Sequence, residues 1–346
     1  VPLVSSLMNF TDLSQGETIM SIECYPHCIN RLTIITNQSI YVYDLVTQTS
    51  SLLYQNTLVT IPCMHNIFSP NVNDSTVSRY TIQETNYLRN EYLLIPHFQQ
   101  MCCFIVDPFK SSRFAVCTQD GKIAVFDNCN GKLMCIGYRP SFPSSVSSMT
   151  SDEDQNYAFV TNKGYVGIFN TLTGSIQRYQ INADQTNGSF NSIHFAGRKL
   201  AVGCKYLFLL DLEKREITIE NRYVTPNKLT TLNDVIAYAP FPNSFDIIYP
   251  DLPKRSLMFK ATIVLFAPNI NNPFLWAFLI KGIGCYIIDT SEQHAKMVTN
   301  FTFTDEIATS MLFIDHVIYI STKTGEVYQC DLKSKQTLGL PIRSVH

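Results

Sequence analysis

The sequence predicts an all-β chain, a single β-propeller of seven four-stranded blades with eight as the alternative, and three observations lead there. A unit of two short apolar strands around a polar turn, closed by Asp or Asn, recurs about every 40 residues. Turn formers punctuate the chain at strand spacing, and outside part of residues 54–96 no segment keeps apolar residues at helical spacing for three turns. The 346 residues are 45% hydrophobic and only 16% charged. A globular average is about 25% charged, so there is ample apolar material to cover sheets on both faces.

The unit is clearest over Arg113 to Asp127, RFAVCTQDGKIAVFD. Phe114 to Thr118 reads as a strand, Gln119-Asp120-Gly121 as a tight turn and Ile123 to Phe126 as the returning strand. Gly121 would supply the positive φ of the turn, and Asp127 would open the next turn by accepting backbone N–H hydrogen bonds. The same form returns over Leu32 to Asp44, Tyr157 to Asn170, Leu200 to Asp211, Leu275 to Asp289 and Val317 to Asp331, with Gly164 and Gly325 at the turn of two copies. The closing residues Asp44, Asp127, Asn170, Asp211, Asp289 and Asp331 lie 41–43 residues apart, except for two intervals about twice as long. Another apolar stretch precedes most copies, as in Cys102 to Val106, Val146 to Met149, Ser192 to Phe195 and Ile307 to Phe313. Counting the closing strand, each unit has four.

Four antiparallel strands at this period match a propeller blade, because one such sheet cannot bury both faces alone and gains a core by stacking against its neighbours. Cys102 to Asp127 resembles the WD40 superfamily across a whole blade: strand, turn, strand, Asp-Gly turn, strand, closing Asp. The family's closing Trp-Asp stands here as Tyr43-Asp44, Phe126-Asp127, Phe169-Asn170, Leu210-Asp211, Ile288-Asp289 and Cys330-Asp331, and its Gly-His pair has only Pro96-His97 as a faint substitute. By that resemblance His97 would bond Asp120 or Asp127.

The long intervals are read separately. Between Asp211 and Asp289, Val235 to Ala239, Phe245 to Tyr249 and Ser256 to Lys260 read as three strands of a degenerate blade. Tyr54 to Pro96, with Ser69-Pro70-Asn71 and Asn73-Asp74-Ser75, reads as an eroded blade or an insertion within one domain spanning residues 1–346. Leu3 to Phe10 is expected to supply the outer strand of the last blade and hide its edge.

Composition narrows the function. The 26 Lys and Arg nearly cancel the 28 Asp and Glu, which gives no basic field for a phosphate backbone, so no nucleic-acid partner is expected. The apolar runs fall short of the roughly 20 residues of a membrane helix, and phosphoinositide-binding propellers carry a Phe-Arg-Arg-Gly motif that is missing here. Neither membrane insertion nor lipid recognition is expected. Eleven scattered cysteines suit a reducing compartment, cytoplasm or nucleus, and five Asn-x-Ser/Thr sequons say little in a chain this rich in Asn, Ser and Thr. Cys24, His27 and Cys28 lack a second metal-ligand pair, so no metal is expected. Cys102-Cys103 reads as core filler. With 14 glycines and no phosphate-binding loop, no cofactor or small-molecule substrate is expected, and Lys281-Gly282-Ile283-Gly284 reads as a hairpin turn. The seven histidines share no motif, so no catalytic residue is assigned.

Depleted charge with 18 Tyr and 22 Phe is the composition of interface cores. The expected function is a noncatalytic scaffold holding other protein subunits in a complex, with Tyr80, Tyr87, Leu88, Tyr92, Leu93 and Leu94 as docking residues. A peptide-motif adaptor, such as a ubiquitin-ligase receptor, is the alternative. An enzyme with a central-channel site is a further one.

Overall fold

In a computed structural model the described residues are 3–9, 17–24, 30–36, 39–55, 60–62, 67–70, 77–80, 92–94, 101–107, 113–118, 123–129, 132–139, 145–173, 175–181, 190–221, 228–303 and 308–333. Among them there are strands and turns and no helix. The chain divides into two compact units, Val1–Gln55 with Phe241–His346, and Asn56–Pro240.

The first unit opens with β1 (Leu3–Asn9) and a four-stranded meander of β2 (Ile19–Glu23), β3 (Arg31–Thr36), β4 (Ser39–Asp44) and β5 (Thr49–Gln55).

The second unit starts with four short strands, β6 (Thr60–Pro62), β7 (Ile67–Pro70), β8 (Val77–Tyr80) and β9 (Tyr92–Leu94). β6 pairs with β9, and β7 with β8, both antiparallel. The described parts of 54–96 are therefore extended. The next meander is β10 (Met101–Val106), β11 (Arg113–Thr118), β12 (Ile123–Cys129) and β13 (Lys132–Arg139), and β7 joins the outer edge of β13 in parallel at Ile67 and Tyr138. Two more follow: β14 (Val146–Ser151) to β17 (Ile176–Gln180) through β15 (Asn156–Thr161) and β16 (Tyr165–Asn170), then β18 (Ser192–Ala196), β19 (Lys199–Gly203), β20 (Leu207–Asp211) and β21 (Glu216–Asn221). The hairpin of β22 (Leu229–Leu232) and β23 (Val235–Tyr238) ends the unit.

Period-two alternation explains how these sheets stack. In β15, every residue from Tyr157 to Thr161 is buried, so both faces are covered. Tyr157 and Phe159 pack on one side with Ala115, Cys117, Ile123 and Val125. Ala158 and Val160 pack on the other with Ile193, Leu200 and Val202. The first strands β10, β14, β18 and β22 lie side by side in that order, whereas β17 at the outside is mostly exposed. Gly164 makes the β15–β16 turn at φ +80°, where a Cβ would sit 2.6 Å from the Ile181 carbonyl oxygen and 2.7 Å from the Phe190 ring. Gly325 takes φ +85° in the last hairpin; Gly121 lies outside the described residues.

The first unit resumes with β24 (Ser244–Ile248) and β25 (Arg255–Met258), then β26 (Ile263–Asn269), β27 (Asn272–Ile280), β28 (Gly284–Asp289) and β29 (Lys296–Phe301), then β30 (Ala308–Ile314), β31 (Val317–Thr322) and β32 (Glu326–Asp331). β1 pairs antiparallel with β32 from Leu3 opposite Asp331 to Asn9 opposite Glu326, so the N-terminal strand completes the last sheet. Faces again split by parity. Ile318 and Ile320 pack with Ala277, Leu279 and Ile287, while Tyr319 packs with Ile22, Leu32 and Ile34.

Candidate interaction surface

The residues with the most chemistry are spent on structure. Asp44 Oδ1 accepts the backbone N–H groups of Val46 and Thr47 at 2.9 and 3.0 Å. Asn170 Oδ1 accepts those of Leu172 and Thr173 at 3.0 and 2.8 Å, and Asp211 Oδ1 those of Glu213 and Lys214 at 3.0 Å each. Asp289 and Asp331 bond Ser291 and Lys333 in the same way. Each is a short polar side chain that caps the turn after its blade's third strand, and in the first four that turn leads into the fourth strand. The bonds hold the Asp44 carboxyl, chiefly through Thr47, and the Asp211 carboxyl, chiefly through Lys214, below the ordinary range.

Asp127 has a further role. Its Oδ2 accepts Arg113 Nη2 at 3.1 Å, Arg113 Nη1 lies 3.8 Å from Asp107 Oδ2, and the Tyr157 hydroxyl donates to Asp107 Oδ2 at 3.0 Å. All four side chains are buried. β11 and β12 thus place a guanidinium between two carboxylates, and β15 of the adjacent sheet reaches over to the knot. Burial first, and the Asp107 charge second, push the Tyr157 phenol far above its ordinary pKa, which keeps it a donor. This knot joins two sheets and is closed to ligands.

Cys24 and Cys117 are buried, as are Cys204, Cys285 and Cys330, whose thiols burial raises, the last to about 12. They are poor nucleophiles. Among the described residues no three His, Cys, Asp or Glu side chains gather as a metal site.

His194 on β18 is held by burial at a pKa of about 4, opposed by a hydrogen bond with the backbone of Leu229. The sign follows from where each state binds its proton. Above pH 6.5 the ring is neutral folded or unfolded, so it contributes nothing. Between about 6.5 and 4 only the unfolded chain takes up the proton, and stability falls, by up to about 3 kcal/mol. We expect the urea midpoint to drop from pH 7 to pH 5 in the wild type and to drop less in His194→Gln; equal drops would acquit His194.

The surface is more informative. Phe241 is 56% exposed, Met258 82% and Ile283 40%. Backbone hydrogen bonds tie their segments together: Phe241 opens a turn whose carbonyl accepts Ser244 N–H at 3.1 Å, and Ser244 stands opposite Met258 in the β24–β25 ladder. Asn243 O accepts Phe259 N–H at 2.8 Å, Pro242 O accepts Ile263 N–H at 2.7 Å, and Thr262 O accepts Lys281 N–H at 2.9 Å. Three solvent-facing apolar side chains therefore share one end of the first unit.

No protein-family model matches the sequence, and no curated protein matches it. Solved structures do. The chain is similar to the β-propeller domain of Cps50 (Swd1) from Myceliophteria thermophila, at 11% identity and TM-score 0.62, over 95% of this chain and 99% of that one. It is also similar to a chain of the Mitotic Checkpoint Complex, at 7% identity and TM-score 0.63, over 96% of this chain and 91% of that one. The fold is a β-propeller.

In this propeller the capping residues Asp44, Asn170, Asp211, Asp289 and Asp331 are the closing residues of the sequence repeat. Of the docking residues expected from sequence, Tyr80 ends β8, and Tyr92, Leu93 and Leu94 form β9, opposite Pro62, Ile61 and Thr60. Tyr87, Leu88, His97 and Asp120 lie outside the described residues. Sequence reasoning passed over Phe241, Met258 and Ile283. Their signal was large apolar side chains at a turn or a strand end, where polar residues are the rule.

Proposed function

We propose that the chain is a noncatalytic scaffold, a stable subunit that holds other protein chains within a larger complex in the cytoplasm or nucleus. The observation that carries this reading is a shared exposed apolar end, Phe241, Met258 and Ile283, in a chain only 16% charged. A lone soluble protein covers its surface with charge, and contiguous exposed apolar area marks interaction sites. The similarity to a chain of the Mitotic Checkpoint Complex lends support from the fold side. The acids described above cap turns or neutralise Arg113, which fits a rigid platform better than an acid–base site. The segment 54–96, with its short paired strands, serves as a second docking element. Native purification with stoichiometry by mass spectrometry is expected to return fixed-ratio partners, and deletion of Ser69 to Arg89 to weaken that set without unfolding the chain. A lone monomer would refute the scaffold.

A further inference from the structure

We propose that the end of the first unit formed by Phe241, Pro242, Met258 and Ile283 is a docking site for an acidic peptide segment of a partner protein, anchored by an apolar side chain. The inference rests on the interaction reading and names the partner's chemistry. The three segments that build this end are 241–243, 258–263 and 281–284, joined by the hydrogen bonds given above. Within them Phe241, Pro242, Met258, Lys260, Thr262, Lys281 and Ile283 are exposed, and none of the thirteen residues is acidic. The chain as a whole is slightly negative, at −2. A local pair of lysines beside apolar anchors therefore selects a partner of opposite charge, because lysines at a rim steer encounter while desolvated apolar contacts hold it. A basic or nucleic-acid occupant fits less well: the first is repelled by Lys260 and Lys281, and the second leaves Met258 and Phe241 without apolar cover.

The site is carried by rigid parts. Phe259 beneath it is buried with its ring centroid 4.9 Å from Phe278, and Ile263 and Ile280 are buried opposite each other in the β26–β27 ladder. The exposed side chains thus stand on a packed base, which lowers the ordering cost of binding.

The test is selection of a random-peptide display library on the immobilised full chain. Enriched peptides are expected to carry a large apolar residue flanked by Asp or Glu. Met258→Asp and the double variant K260E/K281E are each expected to weaken the best synthetic peptide about tenfold or more, about 1.4 kcal/mol, while V46D, also at an exposed apolar residue, leaves binding unchanged. Since Met258 is 82% exposed, its replacement leaves the fold intact. Enriched peptides without acidic residues, or binding indifferent to both variants, would overturn the site. Concentration-dependent dimers lost in Met258→Asp would assign the patch to a second copy and also overturn it. If only the site is wrong, native purification still returns partners, and Met258→Asp still co-purifies with them; if the interaction reading is wrong, purification returns the chain alone.

Discussion

Replacing Arg113 with Met is expected to destabilise the chain by about 3–5 kcal/mol, because it leaves the Asp107 and Asp127 carboxylates buried without their cation. The size follows from asymmetry. An intact buried ion pair adds little net stability, since desolvating the charges offsets their attraction, but removing one partner leaves that desolvation uncompensated. The guanidinium sits 3.1 Å from Asp127 and 3.8 Å from Asp107, with side chains 9, 3 and 2% exposed, so water cannot substitute for it. Two further results separate this cause from lost packing. The deficit should shrink toward acid pH, because uncompensated buried carboxyls bind protons more tightly than in the unfolded chain, so the folded state gains as pH falls. The triple variant R113M/D107N/D127N should recover part of the loss at pH 7. Chemical denaturation of the three proteins at pH 7 and 5 decides. An R113M deficit that does not change with pH would mean packing, not charge, holds this corner.

The knot also shows where sequence reading stops. The closing Asp and Asn residues were legible because capping a turn is local: the carboxylate bonds N–H groups two and three residues ahead, so spacing alone exposes the repeat. The Tyr157 to Asn170 copy of the repeat was legible for the same reason, and Leu3 to Phe10 as outer strand followed from the need to hide the last blade's edge. Arg113 was not. It reads as a polar residue at a strand end, and its partners stand 6, 14 and 44 positions away, brought together only when sheets stack. Leu229–Leu232 was missed because two threonines between two leucines carry almost no apolar signal, although β22 pairs with β23 along its whole length. The apolar end escaped for the opposite reason. Phe241, Met258 and Ile283 belong to three segments, and only the hydrogen bonds among those segments bring them to one place.

The degenerate blade between Asp211 and Asp289 should nonetheless be among the least tolerant parts of the chain. Phe245, in β24, is fully buried, with ring centroids at 4.6 Å to Phe266, 5.0 Å to Phe278 and 5.6 Å to Trp276. These contacts pack the β24–β25 hairpin onto β26 and β27, and Trp276 is fixed in turn by its Nε1–H donating to the Pro273 carbonyl at 2.9 Å. Phe245→Ala removes the ring on which the others converge. The loss combines the transfer term with a cavity whose walls are themselves rings held by strands, leaving little room to collapse, so about 3–5 kcal/mol is expected. Phe245→Leu keeps much of the volume and should cost clearly less. A Phe245→Ala cost below about 1 kcal/mol in equilibrium urea unfolding would mean that the hairpin moves inward to fill the gap. Because Phe241, Met258 and Phe259 hang on that hairpin, such a shift would also displace the exposed apolar end.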